Sequence, residues 1–265
     1  MGGDDKLKYF HFQDVRKEFM SEQGEKFLVL ENVTFSIKQG TVVSLVGPSG
    51  CGKTTFLRIV AGFDASYSGT VKVEESGALF STLPLGSVGY IPQEISLFPW
   101  YTVEDNVAFS LRIRGIQKIE RDRRVAELLR MVHLEPYRKF YPKELSGGMK
   151  QKVTICRALA SPTMHGLILL DEPFSALDAQ TRNALQADLL RIQKSENLTL
   201  LFVTHNIDEA VFISDKVVVL TGIPTRVKNI VPVGLSHPRD RKSSDFNAMR
   251  KEILNQCESM PLFQE

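Results

Sequence analysis

The sequence predicts an α/β fold on a buried, mainly parallel sheet, with an antiparallel β segment ahead of it and a helical block inserted in it. Three observations predict this. Short apolar runs, Thr41–Val46, Gly166–Leu170, Leu198–Val203 and Lys216–Leu220, recur along the chain, each the length of a strand buried on both faces. Helix-period segments separate them, the alternation that parallel strands with crossover helices require. Each run ends directly on a turn or a polar group: Gly47, Asp171-Glu172, Thr204-His205 and Thr221-Gly222. Open α/β sheets bind ligands at such carboxyl ends.

Taken in order, residues 8–19 and 27–37 alternate apolar and polar around the turn-like Ser21–Gly24, which reads as an antiparallel hairpin. Phe19 closes its first strand. It suits a core or edge aromatic as well as a platform for stacking a base. After Thr41–Val46 and a glycine-rich turn, Thr55–Gly62 reads as a helix with a glycine stop. Gly69–Val73 and Ser87–Ile91 are short strands, and Pro92-Gln93-Glu94 leads to the aromatic run Leu97-Phe98-Pro99-Trp100-Tyr101. Two prolines near its ends make a helix there a poor fit, so an exposed Phe and Trp in a loop mark a docking surface.

From Thr102 to about Ala160 the period becomes helical, opened by the capping-box-like Thr102-Val-Glu-Asp105. Leu128, Leu129, Val132 and Leu134 supply the apolar face, and Pro136 and Pro142 bracket a break. A long helix is expected from about Ala179 to Lys194, and another around Ser244 to Cys257. The expected organisation is one domain over 8–235, a helical subdomain inserted at about 95–160, and a short tail over 236–265.

Composition narrows the function classes. The 265 residues carry a formal net charge of +2, with 43% hydrophobic and 24% charged residues, ordinary for a globular chain. Charge so near zero argues against nucleic acid or an anionic membrane as partner. The cluster Arg121, Arg123, Arg124 reads as a solvated helix face. Cys51, Cys156 and Cys257 are odd in number and far apart, neither a disulfide framework nor a metal-ligand spacing, which fits a reducing compartment. The polar Met1-Gly-Gly-Asp-Asp is no signal peptide, and no apolar run approaches the roughly 20 residues of a membrane helix, so any spanning part belongs to another chain.

The chemistry begins at Gly47-Pro48-Ser49-Gly50-Cys51-Gly52-Lys53-Thr54, which fits G-x-x-x-x-G-K-[ST] at every fixed position, with a strand before and a helix after. Such a turn aims consecutive backbone N–H groups and a helix N-terminus at phosphate oxygens. Lys53 is placed to reach the β/γ-phosphates and the Thr54 hydroxyl Mg²⁺. Asp171 would orient Mg²⁺ and Glu172 would activate the water attacking the γ-phosphate. Ser146, Gly147 and Gly148 open a further helix as a second phosphate cradle. Two cradles far apart in sequence suggest that the second serves a nucleotide held by another copy. Gln93 at a strand end could reach Mg²⁺ or the water, and His205 the γ-phosphate. Asp178 reads equally well as a helix N-cap.

Taken together, these residues resemble the nucleotide-binding subunit of an ATP-binding-cassette (ABC) transporter over residues of roughly 8 to 235. Gly47 to Thr54 matches the Walker A loop, Gln93 the Q-loop, Leu145-Ser-Gly-Gly-Met-Lys-Gln151 the signature, Leu167 to Glu172 Walker B, Ser175 to Asp178 the D-loop and His205 the switch histidine. The resemblance implies a P-loop NTPase (RecA-like) core with ATP and Mg²⁺ as cofactors. It makes Glu172, His205 and Gln93 catalytic and gives Thr54, Gln93 and Asp171 to the metal. Phe19, Gly47 to Thr55, Ser146, Gly147, Gly148, Gln151 and Asp178 go to the nucleotide.

It also implies a head-to-tail dimer of cassettes, integral-membrane permease subunits docking near Gln93 to Tyr101, and indirectly a substrate-binding protein, with the chain peripheral on the cytoplasmic face of the cell membrane. Leu97-Phe-Pro-Trp100, Thr204-His-Asn-Ile-Asp-Glu-Ala-Val-Phe212 and His237-Pro-Arg-Asp-Arg241 are similar to the nitrate/sulfonate/taurine/bicarbonate importer group. Asn206 stands where aspartate is common; it keeps the hydrogen bonding and loses the charge. A cassette for pyrimidine-precursor import, lipid transport or export, or a soluble cassette without a permease, remains the alternative. The little chain after residue 241 leaves no room for a sizeable regulatory domain.

Overall fold

The structure, a computed structural model, describes residues 8–75, 78–81, 83, 88–160 and 166–258. The first elements are β1 (Lys8–Met20), β2 (Lys26–Lys38), β3 (Val42–Val46), α1 (Lys53–Val60), β4 (Ser68–Glu75), β5 (Ala78–Ser81) and β6 (Gly89–Ile91). There follow α2 (Val103–Ile113), α3 (Lys118–Met131), α4 (Gly147–Ala160), β7 (Leu167–Asp171) and α5 (Ala179–Ser195). The chain ends with β8 (Thr199–Val203), α6 (Ile207–Ile213), β9 (Lys216–Leu220), β10 (Val227–Pro232) and α7 (Ser244–Glu258). Contacts divide it into two compact units, one of residues up to Ser87 together with those from Thr199 onward, the other Val88–Leu198.

In the first unit β1 and β2 form the expected antiparallel hairpin, extended to the order β2-β1-β4-β5. Alternation puts Phe10, Phe12, Val33, Phe35 and Ile37 inside. The rings of Phe12 and Phe35 lie 5.2 and 5.4 Å from that of Phe56, so the hairpin packs on α1. Nearby, β3 runs between β8 and β9, parallel to both, and β10 adds antiparallel to β9. Every residue of β3 and β8 is buried, which is why both read as unbroken apolar runs.

The helix around 244–257 is present as α7, and it is part of this core. Phe246 and Ile253 are fully buried in a cluster with Val46, Ala210, Val211, Val217 and Val219. Burying a side chain of that size is worth about 1.5–3 kcal/mol. Arg239, just ahead of α7, is buried and donates to the carbonyls of Val211 (2.6 Å) and Ser214 (2.8 Å) at the end of α6.

In the second unit β6 and β7 pair in parallel and α2 to α5 supply the helical layer. The strand expected over 87–91 is Gly89–Ile91, and Ser87 lies outside the described residues. The proline-bracketed break between α3 and α4 holds two 3₁₀ turns, Glu135–Tyr137 and Pro142–Glu144. Thr102 caps α2, its hydroxyl oxygen accepting the Asp105 N–H at 3.2 Å.

Two expectations change here. Phe98 is half-buried rather than exposed, because its ring packs on Phe109 (4.5 Å between centroids) and Tyr101 (5.6 Å); Trp100 alone of the pair is exposed, at 66%. The loop is held by the buried Asn106, whose amide donates to the carbonyls of Phe98, Tyr101 and Thr102 and accepts the Phe98 N–H. Nor is the arginine cluster only a solvated face: Arg124 makes paired bonds of 3.0 and 2.9 Å to Glu196.

Candidate functional site

The first unit holds the phosphate loop. In parallel register Leu45 lies opposite Val203, and the Thr204 N–H donates to the Leu45 carbonyl, so the loop and Thr204-His205 leave the sheet side by side. Lys53 is buried at 5% exposure, and its ammonium donates to the carbonyls of Gly47 (3.0 Å) and Pro48 (2.8 Å), curling the loop over it. The Thr225 hydroxyl donates to the Cys51 carbonyl and ties down the loop's far side. Ser49, Gly50 and Thr54 are exposed.

The Cys51 thiol is fully buried and its sulfur accepts the Lys53 ammonium at 3.8 Å; burial pushes its pKa up against the opposing pull of Lys53. Gly52, the N-cap of α1, sits at φ 104, and a Cβ there would come within 2.8 Å of Val29 Cγ1. No side chain caps α1 and no acid occupies its first turn. Amide donors, an ammonium and the hydroxyl of Thr54 form a donor set that fits the phosphates of a nucleotide.

Phe19 is 42% exposed, so it is not a core residue. It borders a hollow of about 390 Å³ that Arg16, Glu18, Met20, Lys26 and Tyr67 also line. The Lys17 ammonium, held by Asp64 at 2.9 Å, lies 4.8 Å from the ring centroid. His205 is exposed between two anchored neighbours. The buried Thr204 hydroxyl donates to the buried Glu209 carboxylate at 2.7 Å and accepts the Asn206 N–H at 3.0 Å. Asn206 Oδ1 in turn accepts the Glu209 N–H, capping α6.

The second unit holds the carboxylates. Ile91 lies opposite Leu170 in parallel register, so Gln93 and Asp171 leave neighbouring strand ends. Asp171 is buried at 2% exposure, and its Oδ2 accepts the Tyr90 hydroxyl at 3.2 Å. Glu172 breaks the strand in the left-handed region, at φ 43, a conformation costing about 1–3 kcal/mol for a non-glycine residue and concentrated at functional sites. Its carbonyl accepts the Ser175 N–H and hydroxyl. The amide carbonyl of Gln93 and the carboxylate of Asp171 are oxygen donors at these strand ends, a donor type that suits a hard cation such as Mg²⁺.

At the start of α4, Ser146 and Gly147 are exposed and Ser146 Oγ accepts the Met149 N–H at 3.3 Å. Gln151, the fifth residue of α4, is buried at 2% exposure. Asp178 serves as the N-cap of α5, accepting the amides of Gln180 (3.1 Å) and Thr181 (3.0 Å).

Sequence reasoning missed Tyr90, the Thr204–Asn206–Glu209 bracket and Arg239. Tyr90 follows only from knowing that β6 neighbours β7, whereas the bracket has a local signal, the cap residue Asn206 followed three residues on by Glu209.

Comparison with known proteins decides the family. A family model described as ABC transporter matches residues 30–175. The chain is 46% identical over 232 residues to an uncharacterized ABC transporter ATP-binding protein of Methanocaldococcus jannaschii, covering 88% of this chain and 85% of that one. The chain belongs to the ABC transporter family. The cassette is also 41% identical over 244 residues to the aliphatic sulfonates import ATP-binding protein SsuB of Bacillus subtilis, covering 92% of each. Among solved structures, a dimeric post-hydrolysis state of an ATP-binding cassette bound to ADP and Pi matches with a TM-score of 0.68 at 30% identity, over 86% of this chain and 100% of that one. The fold is that of a P-loop NTPase cassette, and the cassette is an ATP-hydrolysing subunit that couples turnover to transport.

Proposed function

We propose that the cassette energises import of a small anion of the sulfonate type, working as a head-to-tail dimer on the cytoplasmic face of a membrane. The observation that carries the chemistry is the tethered loop of Gly47 to Thr54, closed over the Lys53 ammonium and opening an uncapped helix. The solute class is supported by the sulfonate importers among its relatives.

In this reading the loop amides, Lys53 and Thr55 hold the phosphates and Phe19 stacks on the adenine. Bound Mg²⁺ neutralises phosphate charge, with Thr54, Gln93 and Asp171 as its donors. Glu172 accepts a proton from the attacking water, and Gln93 and His205 orient the water and the γ-phosphate. Ser146, Gly147 and Gly148 of one copy face the nucleotide of the other, and Asp178 keeps the neighbouring helix start in place. Gln151 serves from inside α4, by packing.

No helix among the described residues is long and apolar enough to cross a membrane. The permease would seat in a groove of about 480 Å³ lined by Tyr90, Phe98, Phe109 and Arg157, beside the exposed Trp100. Tagged Glu172→Gln protein with ATP, recovered from solubilised membranes, is expected to bring down a multi-span permease; recovery of soluble proteins alone would overturn the import reading. Sulfonate uptake should disappear in cells lacking the chain and return with it.

A further inference from the structure

We propose that Tyr90 is a positioning residue for Asp171 and joins that carboxylate to the groove under the Leu97–Tyr101 loop. The proposal rests on the reading of Asp171 as a Mg²⁺ donor and deepens it.

The register makes the contact. Tyr90 on β6 lies opposite Leu169 on β7, and Leu169 and Asp171, two apart, point to the same face. The diagonal from Tyr90 to Asp171 is within reach of a tyrosine, and its hydroxyl donates to Asp171 Oδ2 at 3.2 Å. The carboxylate is buried, so a fixed donor helps set which way its oxygens turn.

Tyr90 also lines the groove with Ser96, Phe98, Phe109 and Arg157. That wall is tightly connected. Arg157 donates to the Ser96 carbonyl (2.7 Å) and hydroxyl (3.0 Å), and its guanidinium lies 5.5 Å from the Phe98 ring centroid. Phe98 and Trp100 are in ring contact at 5.7 Å. A body pressed into the groove therefore meets the residue whose hydroxyl bonds Asp171. Conversely, a cation on Asp171 pulls on a residue of the groove wall. Coupling of this kind needs only two packed arrangements that both ends bias.

Trp100 is the sole tryptophan of the chain, so its emission reports on the loop beside the groove. The test follows that emission while Mg²⁺ is added to protein loaded with a non-hydrolysable ATP analogue. The wild type should show a saturable change. Tyr90→Phe keeps the ring and removes only the hydroxyl. It is expected to need about 3- to 10-fold more Mg²⁺, the scale of one ordinary net hydrogen bond, and to lose half or more of the Trp100 response. Its circular dichroism spectrum and its affinity for the analogue in EDTA should match the wild type. A Tyr90→Phe protein with the wild-type Mg²⁺ dependence and Trp100 response overturns the proposal, as does a wild-type Trp100 signal that ignores Mg²⁺. Asp171→Asn with undiminished Mg²⁺ dependence would instead bring down the reading of Asp171, independently of Tyr90.

Discussion

The starts of α1 and α5 face the same physical problem and solve it in opposite ways. Every helix begins with backbone N–H groups that have no partner within the helix. At α5 the chain supplies one, as Asp178 accepts two of them; Thr102 and Asn206 do the same for α2 and α6. At α1 it supplies none and sets a left-handed glycine there instead. The start of α4 lies between, with one long bond from Ser146. Helix α3 also starts without a side-chain cap, at Gln117, so what sets α1 apart is the left-handed Gly52 together with the Lys53 ammonium under the loop, the form of a P-loop.

The comparison can be broken at α1 first. Lys53→Ala removes the ammonium on which the loop is folded, and nucleotide affinity measured by titration calorimetry should fall by about 10- to 100-fold. Melting without nucleotide should change much less.

The intermediate case, α4, gives the next largest effect. A Cβ on Gly148 would sit 2.4 Å from Thr181 Cγ2, in the first turn of α5. Threonine has two χ1 rotamers in a helix, so the clash is relieved by a turn of the Thr181 side chain or by a shift of the start of α4. Gly148→Ala should lower ATPase turnover about tenfold or more through misplaced donors. Thr181→Ser, which deletes that methyl, should restore most of it, and failure of the rescue would show that the clash is not the cause.

The smallest effect is expected at α5. Asp178→Ala removes a cap and should lower the melting temperature by about 2–4 °C at neutral pH. The Thr181 and Gln180 amides favour the charged carboxyl, so its folded pKa lies below its usual value. Its contribution is therefore complete above the unfolded carboxylate range and is lost as pH falls through the lowered folded value. Melting curves of the wild type and Asp178→Ala should converge in acid.

Much of this was legible in the sequence because the relevant rules are local. The phosphate loop between its strand and helix, the apolar runs ending on Asp171-Glu172 and Thr204-His205, and the Thr102 cap all follow from short windows. What was not legible depends on neighbours in space. Tyr90 gains its role only because β6 pairs with β7, and strand order is not encoded in either strand. Phe98 reads as exposed from its proline-flanked loop, yet Asn106, eight residues on, holds that loop so that the ring folds onto Phe109. The charged stretch from Arg239 reads as a tail; its guanidinium is drawn inside because the carbonyls ending α6 need donors.

The central claim, that the uncapped start of α1 and the cradle of α4 bind one nucleotide from two copies of the chain, is tested most directly by light scattering of Glu172→Gln protein with and without ATP. The account predicts a monomer that becomes a dimer with ATP, and no dimer when Lys53→Ala or Gly148→Ala is added. A protein that binds ATP yet stays monomeric, or a dimer indifferent to both substitutions, would contradict it.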